Sequence, residues 1–159
     1  LQMVELKTGC LLGVSAQIGS IIGGANEKDS ILMRDYGRLI GKAFQIQDDY
    51  LEVFSNEKLM GKSLKSDLVL NKKTFLMVNG YIQDSKRMKK IKEILMNVDY
   101  NLGHKKLIDF YIDSGIKSQA EITIVSLIEE ADKILSEIDN FKLKNNLKYF
   151  SEIILNRKK

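Results

Sequence analysis

The sequence predicts an all-α protein, on three observations. It contains no proline, so long helices are uninterrupted and tight proline turns are not available. Apolar residues recur at three- and four-residue spacing along most of the chain, and no stretch alternates as a strand would. At 159 residues, with 44% hydrophobic and 29% charged residues, the chain is long enough for one domain with a sizeable core. We find no internal repeat, low-complexity tract or linker that would divide it.

The elements follow in order. From Val4 to Ala25 the periodicity is helical, and Gly9, Gly13, Ala16, Ser20 and Gly23 form a narrow stripe on which another helix can approach closely. Ser15 and Gln17 break the apolar run and Glu5 and Lys7 flank it, which argues against a membrane span. Gly23-Gly24 ends this helix, Asn26 or Asp29 caps the next, and periodicity then runs from Ser30 through Phe54. Ser55 to Lys73 holds Asn56, Gly61, Ser63, Ser66 and Asn71 among five lysines, and reads as a basic functional loop. Further helices are expected at 74–82, at 85–98 with Asp84 as a cap, and at 104–114, 116–139 and 145–157.

Composition narrows the chemistry. The lone Cys10 cannot form an intramolecular disulfide and has no base near it in sequence, so it is expected to be a buried small residue; the lone His104 cannot build a zinc site and is expected to cap a helix or face solvent. The net charge of +4 is spread along the chain in short clusters such as Lys72-Lys73 and Lys89-Lys90, and no nucleic-acid partner is expected. Carboxylates, lysines and amides remain to carry a site. The chain opens Leu1-Gln2-Met3-Val4, with no initiator methionine and no signal pattern, and we expect it to begin within a longer polypeptide.

The informative segment is Phe44-Gln45-Ile46-Gln47-Asp48-Asp49-Tyr50-Leu51-Glu52. At about 100° per residue, Gln45, Asp48, Asp49 and Glu52 fall on one helix face, bordered by Phe44 and Leu51 on one side and Ile46 and Val53 on the other. Like charges one turn apart repel, and Mg²⁺, which takes oxygen ligands from carboxylates, water and phosphate, would remove that penalty. A solvated face is the other reading, since Arg38 and Lys42 continue the stripe at pairing distance. Lys7 shares a face with Leu11, Val14 and Ile18, where a cation must snorkel to water or meet an anion, and Thr8 beside it offers a hydroxyl. The run from Gly61 to Thr74 follows the acidic helix directly, and its lysines would neutralise a diphosphate leaving group or simply be solvated. Asp109 and Asp113 read as a solvated face.

Lys7-Thr8, then Phe44-Gln45 with Asp48-Asp49 and a carboxylate at 52, then Gly61-Lys62 and Asp67 through Lys72, resemble in order and spacing the second half of the trans-prenyltransferase family, which includes farnesyl and geranylgeranyl diphosphate synthases. The likeness spans essentially the whole chain, is strongest from Leu6 to Thr74, and returns at the basic end Arg157-Lys158-Lys159. It implies residues 1–159 as the C-terminal half of a single helical-bundle domain of the isoprenoid synthase type, with Mg²⁺ as cofactor and allylic and isopentenyl diphosphates as substrates. By the same likeness Asp48, Asp49 and Glu52 hold metal, and Lys7, Lys62 and Lys72 contact the allylic diphosphate. Thr8 and Gln45 place oxygen dipoles near the allylic cation, and Phe44 lines the substrate site. Glu52 stands where the family usually has aspartate, and Asn71 where it often has glycine. No first aspartate-rich motif occurs in these residues, so this chain alone is expected not to catalyse condensation. The intact protein is expected to be a cytoplasmic homodimer, or this chain to work with a separate N-terminal half. A non-catalytic helical subunit and a terpene cyclase of the same fold are the alternatives.

Overall fold

A computed structural model describes residues 4–55 and 72–156. Lys62, with most of the predicted basic loop, and the basic end 157–159 lie outside the described residues. Every regular element described is helical, as expected. A π-helical turn at Glu5–Gly9 leads into α1 (Cys10–Ile22), followed by α2 (Glu27–Phe54) and α3 (Phe75–Glu93). A second π-turn, Ile94–Val98, then precedes α4 (Tyr100–Asp113), α5 (Ile116–Ser136) and α6 (Phe141–Leu155). Among the described residues no helix is long and apolar enough to cross a membrane.

Local chemistry explains most of the boundaries. α1 ends where Gly24 takes φ 82° and the amides of Gly24 and Ala25 bond back to Ile21 O and Ser20 O, a turn that glycine adopts without steric cost. Asn26 then caps α2: its Oδ1 accepts from the Asp29 amide at 2.9 Å, and its Nδ2 donates to the Asp29 carboxylate at 3.0 Å. The expected break at Asp84 is present as a kink inside α3, with Asp84 at φ −153° and its Oδ1 accepting from the Arg87 amide. Asp99 and Asn140 cap α4 and α6 in the same way, which starts both helices about four residues earlier than the apolar pattern alone suggests.

The chain forms two compact parts, residues 4–47 with 122–156, and residues 48–55 with 72–121. In the first, α1 and α2 meet backbone to backbone. A Cβ on Gly41 would lie 2.7 Å from Gly9 Cα, and one on Gly37 would lie 2.7 Å from Leu12 O. Of the predicted small-residue stripe, Gly9 and Gly13 face α2; a Cβ on Gly19, which is not part of that stripe, would meet open space. α6 is tied to α2 by Tyr36, whose hydroxyl donates to Leu147 O at 2.9 Å and lies 3.1 Å from Ser151 Oγ. Burial holds the Tyr36 phenol above its ordinary pKa. In the second part Leu76, Met88, Leu95, Leu107, Phe110 and Tyr111 are fully buried.

Candidate functional site

In the first part the structure brings two predicted site residues together. Thr8 lies in the first π-turn and Gln45 on α2, and the Thr8 hydroxyl donates to Gln45 Oε1 at 2.9 Å. Gln45 is buried, so its amide is held in one orientation. The hydroxyl has one proton and spends it on Gln45, which leaves the Thr8 oxygen lone pairs aimed elsewhere. Phe44, next to Gln45, is half-buried. Lys7 is exposed, and the face predicted to surround it is open as well: Leu11 is 70% exposed, Val14 49% and Ile18 52%. The apolar surroundings expected of Lys7 are therefore an uncovered apolar surface.

Arg38 and Lys42 were open to pairing along their own helix with the acids that follow. The ion pairs seen run across to Glu5. Arg38 Nη2 binds Glu5 Oε1, and Lys42 Nζ lies 3.2 Å from Glu5 Oε2. Arg38 first, then Lys42, favours the charged carboxylate and holds the Glu5 pKa below its ordinary 4.5. The ion pairs thus contribute above that ordinary value and are lost only as pH falls through the lowered one. Sequence reasoning did not assign Glu5 a role; its position two residues before Lys7 was the available signal.

In the second part, the acids at the end of α2 are not a solvated face. Asp49 is 6% exposed, Glu52 9%, and Asp48 is half-buried. Asp49 has a structural partner that the sequence did not suggest: its Oδ2 accepts from the amide of Phe75, the first residue of α3, at 3.1 Å. A carboxylate at a helix N-terminus is favoured both by the free amides there and by the helix dipole. This bond ties α2 to the N-terminus of α3. His104 meets one of the two expectations held for it. It is 5% exposed and stacks on Tyr100, so it does not face solvent, and its Nε2 lies 3.0 Å from Val53 O in the last turn of α2, where it caps that helix's C-terminus. A carbonyl can only accept, so Nε2 carries the proton. Beyond it Tyr50 donates to Glu121 at 2.5 Å, and burial first, then Glu121, raises the phenol's pKa. Lys72 is exposed and, with Lys73, Met77, Val78, Tyr81 and Ile82, lines a cavity of about 490 Å³.

A family model described as polyprenyl synthetase matches residues 1–108. The chain belongs to the polyprenyl synthetase family. Among curated relatives it is 29% identical over 161 residues to a short chain isoprenyl diphosphate synthase of Methanothermobacter thermautotrophicus, covering 99% of this chain and 48% of that protein. It is 41% identical over 81 residues to a geranylgeranyl diphosphate synthase of Methanosarcina mazei, covering 51% of this chain and 25% of that protein. Among solved structures, a geranylgeranyl pyrophosphate synthetase from Pyrococcus horikoshii superposes with a TM-score of 0.83 at 28% identity, covering 98% of this chain and 48% of that one. Another geranylgeranyl pyrophosphate synthase gives 0.80 at 32% identity, covering 99% of this chain and 50% of that one. The chain spans about half the length of these fuller matches. As a member of this family the chain shares the helical architecture of the structures that it superposes on.

The carboxylates Asp48, Asp49 and Glu52 toward the end of α2 are hard oxygen donors of the kind that suit a divalent cation such as Mg²⁺. Among the described residues no three of His, Cys, Asp and Glu are grouped closely enough to hold a metal by themselves. That is compatible with Mg²⁺, which is commonly bound through one or two carboxylates and completed by water and phosphate oxygens.

Proposed function

We propose that this chain supplies the diphosphate-binding half of a chain-elongating prenyltransferase, which joins an allylic diphosphate to isopentenyl diphosphate. The observation that carries the reading is the burial of Asp49 and Glu52 on the helix turns that also hold Asp48. Taking an ionised carboxylate out of water costs several kcal/mol; the Phe75 amide offsets part of this at Asp49, and a divalent cation beside these acids would offset more. Asp48 is the principal metal ligand in this reading, with Asp49 and Glu52 acting directly or through water. Bound Mg²⁺ would neutralise the diphosphate as it departs.

The chain's own residues do the rest. Lys7, Lys62 and Lys72 bind the allylic diphosphate as point charges. Gln45, held by Thr8, and the Thr8 lone pairs present fixed dipoles to the cation that forms as diphosphate leaves, and Phe44 lines the hydrocarbon. The cation needs dipoles and dryness and no nucleophilic side chain. Residues 1–159 act as half of one synthase domain, in the cytoplasm, paired with an N-terminal half or as part of a homodimer. No first aspartate-rich motif is present in the sequence, so the chain alone does not condense substrates.

The test is to mix the chain with the separately expressed N-terminal half of a relative, an allylic diphosphate, isopentenyl diphosphate and Mg²⁺. Longer prenyl diphosphate is expected from the mixture and none from either half. Product formed without consumption of isopentenyl diphosphate would identify a cyclase, and no product from any pairing would favour a non-catalytic subunit.

A further inference from the structure

We infer that Glu5 is a positioning residue for Lys7 and Thr8: by binding Arg38 and Lys42 of α2, it keeps Glu5–Gly9 wound as a π-turn, and that winding fixes the direction in which Lys7 meets an anion. This rests on the reading of Lys7 as a diphosphate ligand. A π-turn closes i→i+5 bonds, is rare, and occurs mostly as a single turn inside an α-helix, frequently at functional sites. Here the Cys10 amide bonds to Glu5 O, and Lys7 and Thr8 sit inside the loop so closed.

Rewinding to α geometry would move the register before the turn by one residue, about 100° around the axis. Something must therefore hold both sides of the turn. On the C-terminal side the close approach of Gly9 to Gly41 does so. On the N-terminal side the only ion pairs found are those of Glu5 with Arg38 and Lys42, among the described residues. Arg38 can lie along α1 toward Glu5 because Gly13 has no side chain: a Cβ there would sit 2.6 Å from Arg38 Cγ. Arg38 and Lys42 are like charges one turn apart, and the shared carboxylate offsets their repulsion. Lys7 takes no part in these pairs and remains exposed.

The experiment measures binding of inorganic pyrophosphate, with Mg²⁺ present, to the 159-residue chain by calorimetry, alongside crystal structures. Glu5→Ala is expected to weaken binding about tenfold, and Glu5→Gln, whose one amide oxygen can still accept from one of the two cations, by less. In a Lys7→Ala background, Glu5→Ala is expected to have no further effect, because Glu5 acts through Lys7. In the Glu5→Ala crystal the Cys10 amide is expected on Leu6 O, the α-helical partner. Fully additive losses, or a Cys10 amide still on Glu5 O with Lys7 unmoved, would overturn the inference. If the native chain binds no pyrophosphate, the functional reading fails, and the crystal structure alone decides the role of Glu5.

Discussion

The two ends of α2 are held by different physics. Up to Gln45 the helix is fixed by close backbone approach: Gly37 and Gly41 lie against Leu12 and Gly9, and the charged residues Arg38 and Lys42 are drawn across to Glu5. From Asp48 onward it is fixed by buried polar bonds over long sequence separations, Asp49 to the Phe75 amide and Val53 O to His104. The first region tolerates no added volume at its glycine contact, and its ion pairs and hydrogen bonds lie beside that contact. The second has room for side chains and depends on satisfying buried groups.

The largest expected effect breaks the first region. Gly41→Leu keeps helix propensity and puts a side chain where even a Cβ would be 2.7 Å from Gly9 Cα. It should destabilise the chain by about 3 kcal/mol in urea unfolding. Next, Asp49 separates the two tasks assigned to the second region. Asp49→Ala leaves the Phe75 amide without its acceptor and should cost about 1–2 kcal/mol. Asp49→Asn keeps an acceptor oxygen and should cost less than about 1 kcal/mol, while weakening Mg²⁺-dependent pyrophosphate binding as much as the alanine does. The smallest effect has the opposite sign. Gly19→Ala, where an added Cβ meets open space, should stabilise α1 by about 0.5–1 kcal/mol. A loss there would mean that the contact between α1 and α2 extends beyond Gly13.

The sequence was most legible where structure is local. Asn26, Gly24 and Asp84 act through neighbours within five residues, and the caps and breaks expected of them are present. Asp99 and Asn140 carry the same capping signal, which apolar periodicity does not register, so α4 and α6 begin earlier than that periodicity predicts. The π-turn was invisible because a search at 3.6 residues per turn cannot register one extra residue. The acidic stripe is legible as a face, but its burial is not, since the partner seen for Asp49, the Phe75 amide, is 26 residues away. Lys7 shows the converse failure. Its apolar neighbours were read correctly from spacing, but spacing does not say whether such a face is covered.

The central claim is that the acids at the end of α2 grip a diphosphate through divalent metal. Calorimetric titration of the chain with pyrophosphate, with and without Mg²⁺, tests it most directly when native and Asp48→Ala proteins are compared at matched stability. Binding that requires Mg²⁺ and falls at least tenfold in Asp48→Ala is the predicted result. Binding that is indifferent to Mg²⁺ and equal in the two proteins would contradict it.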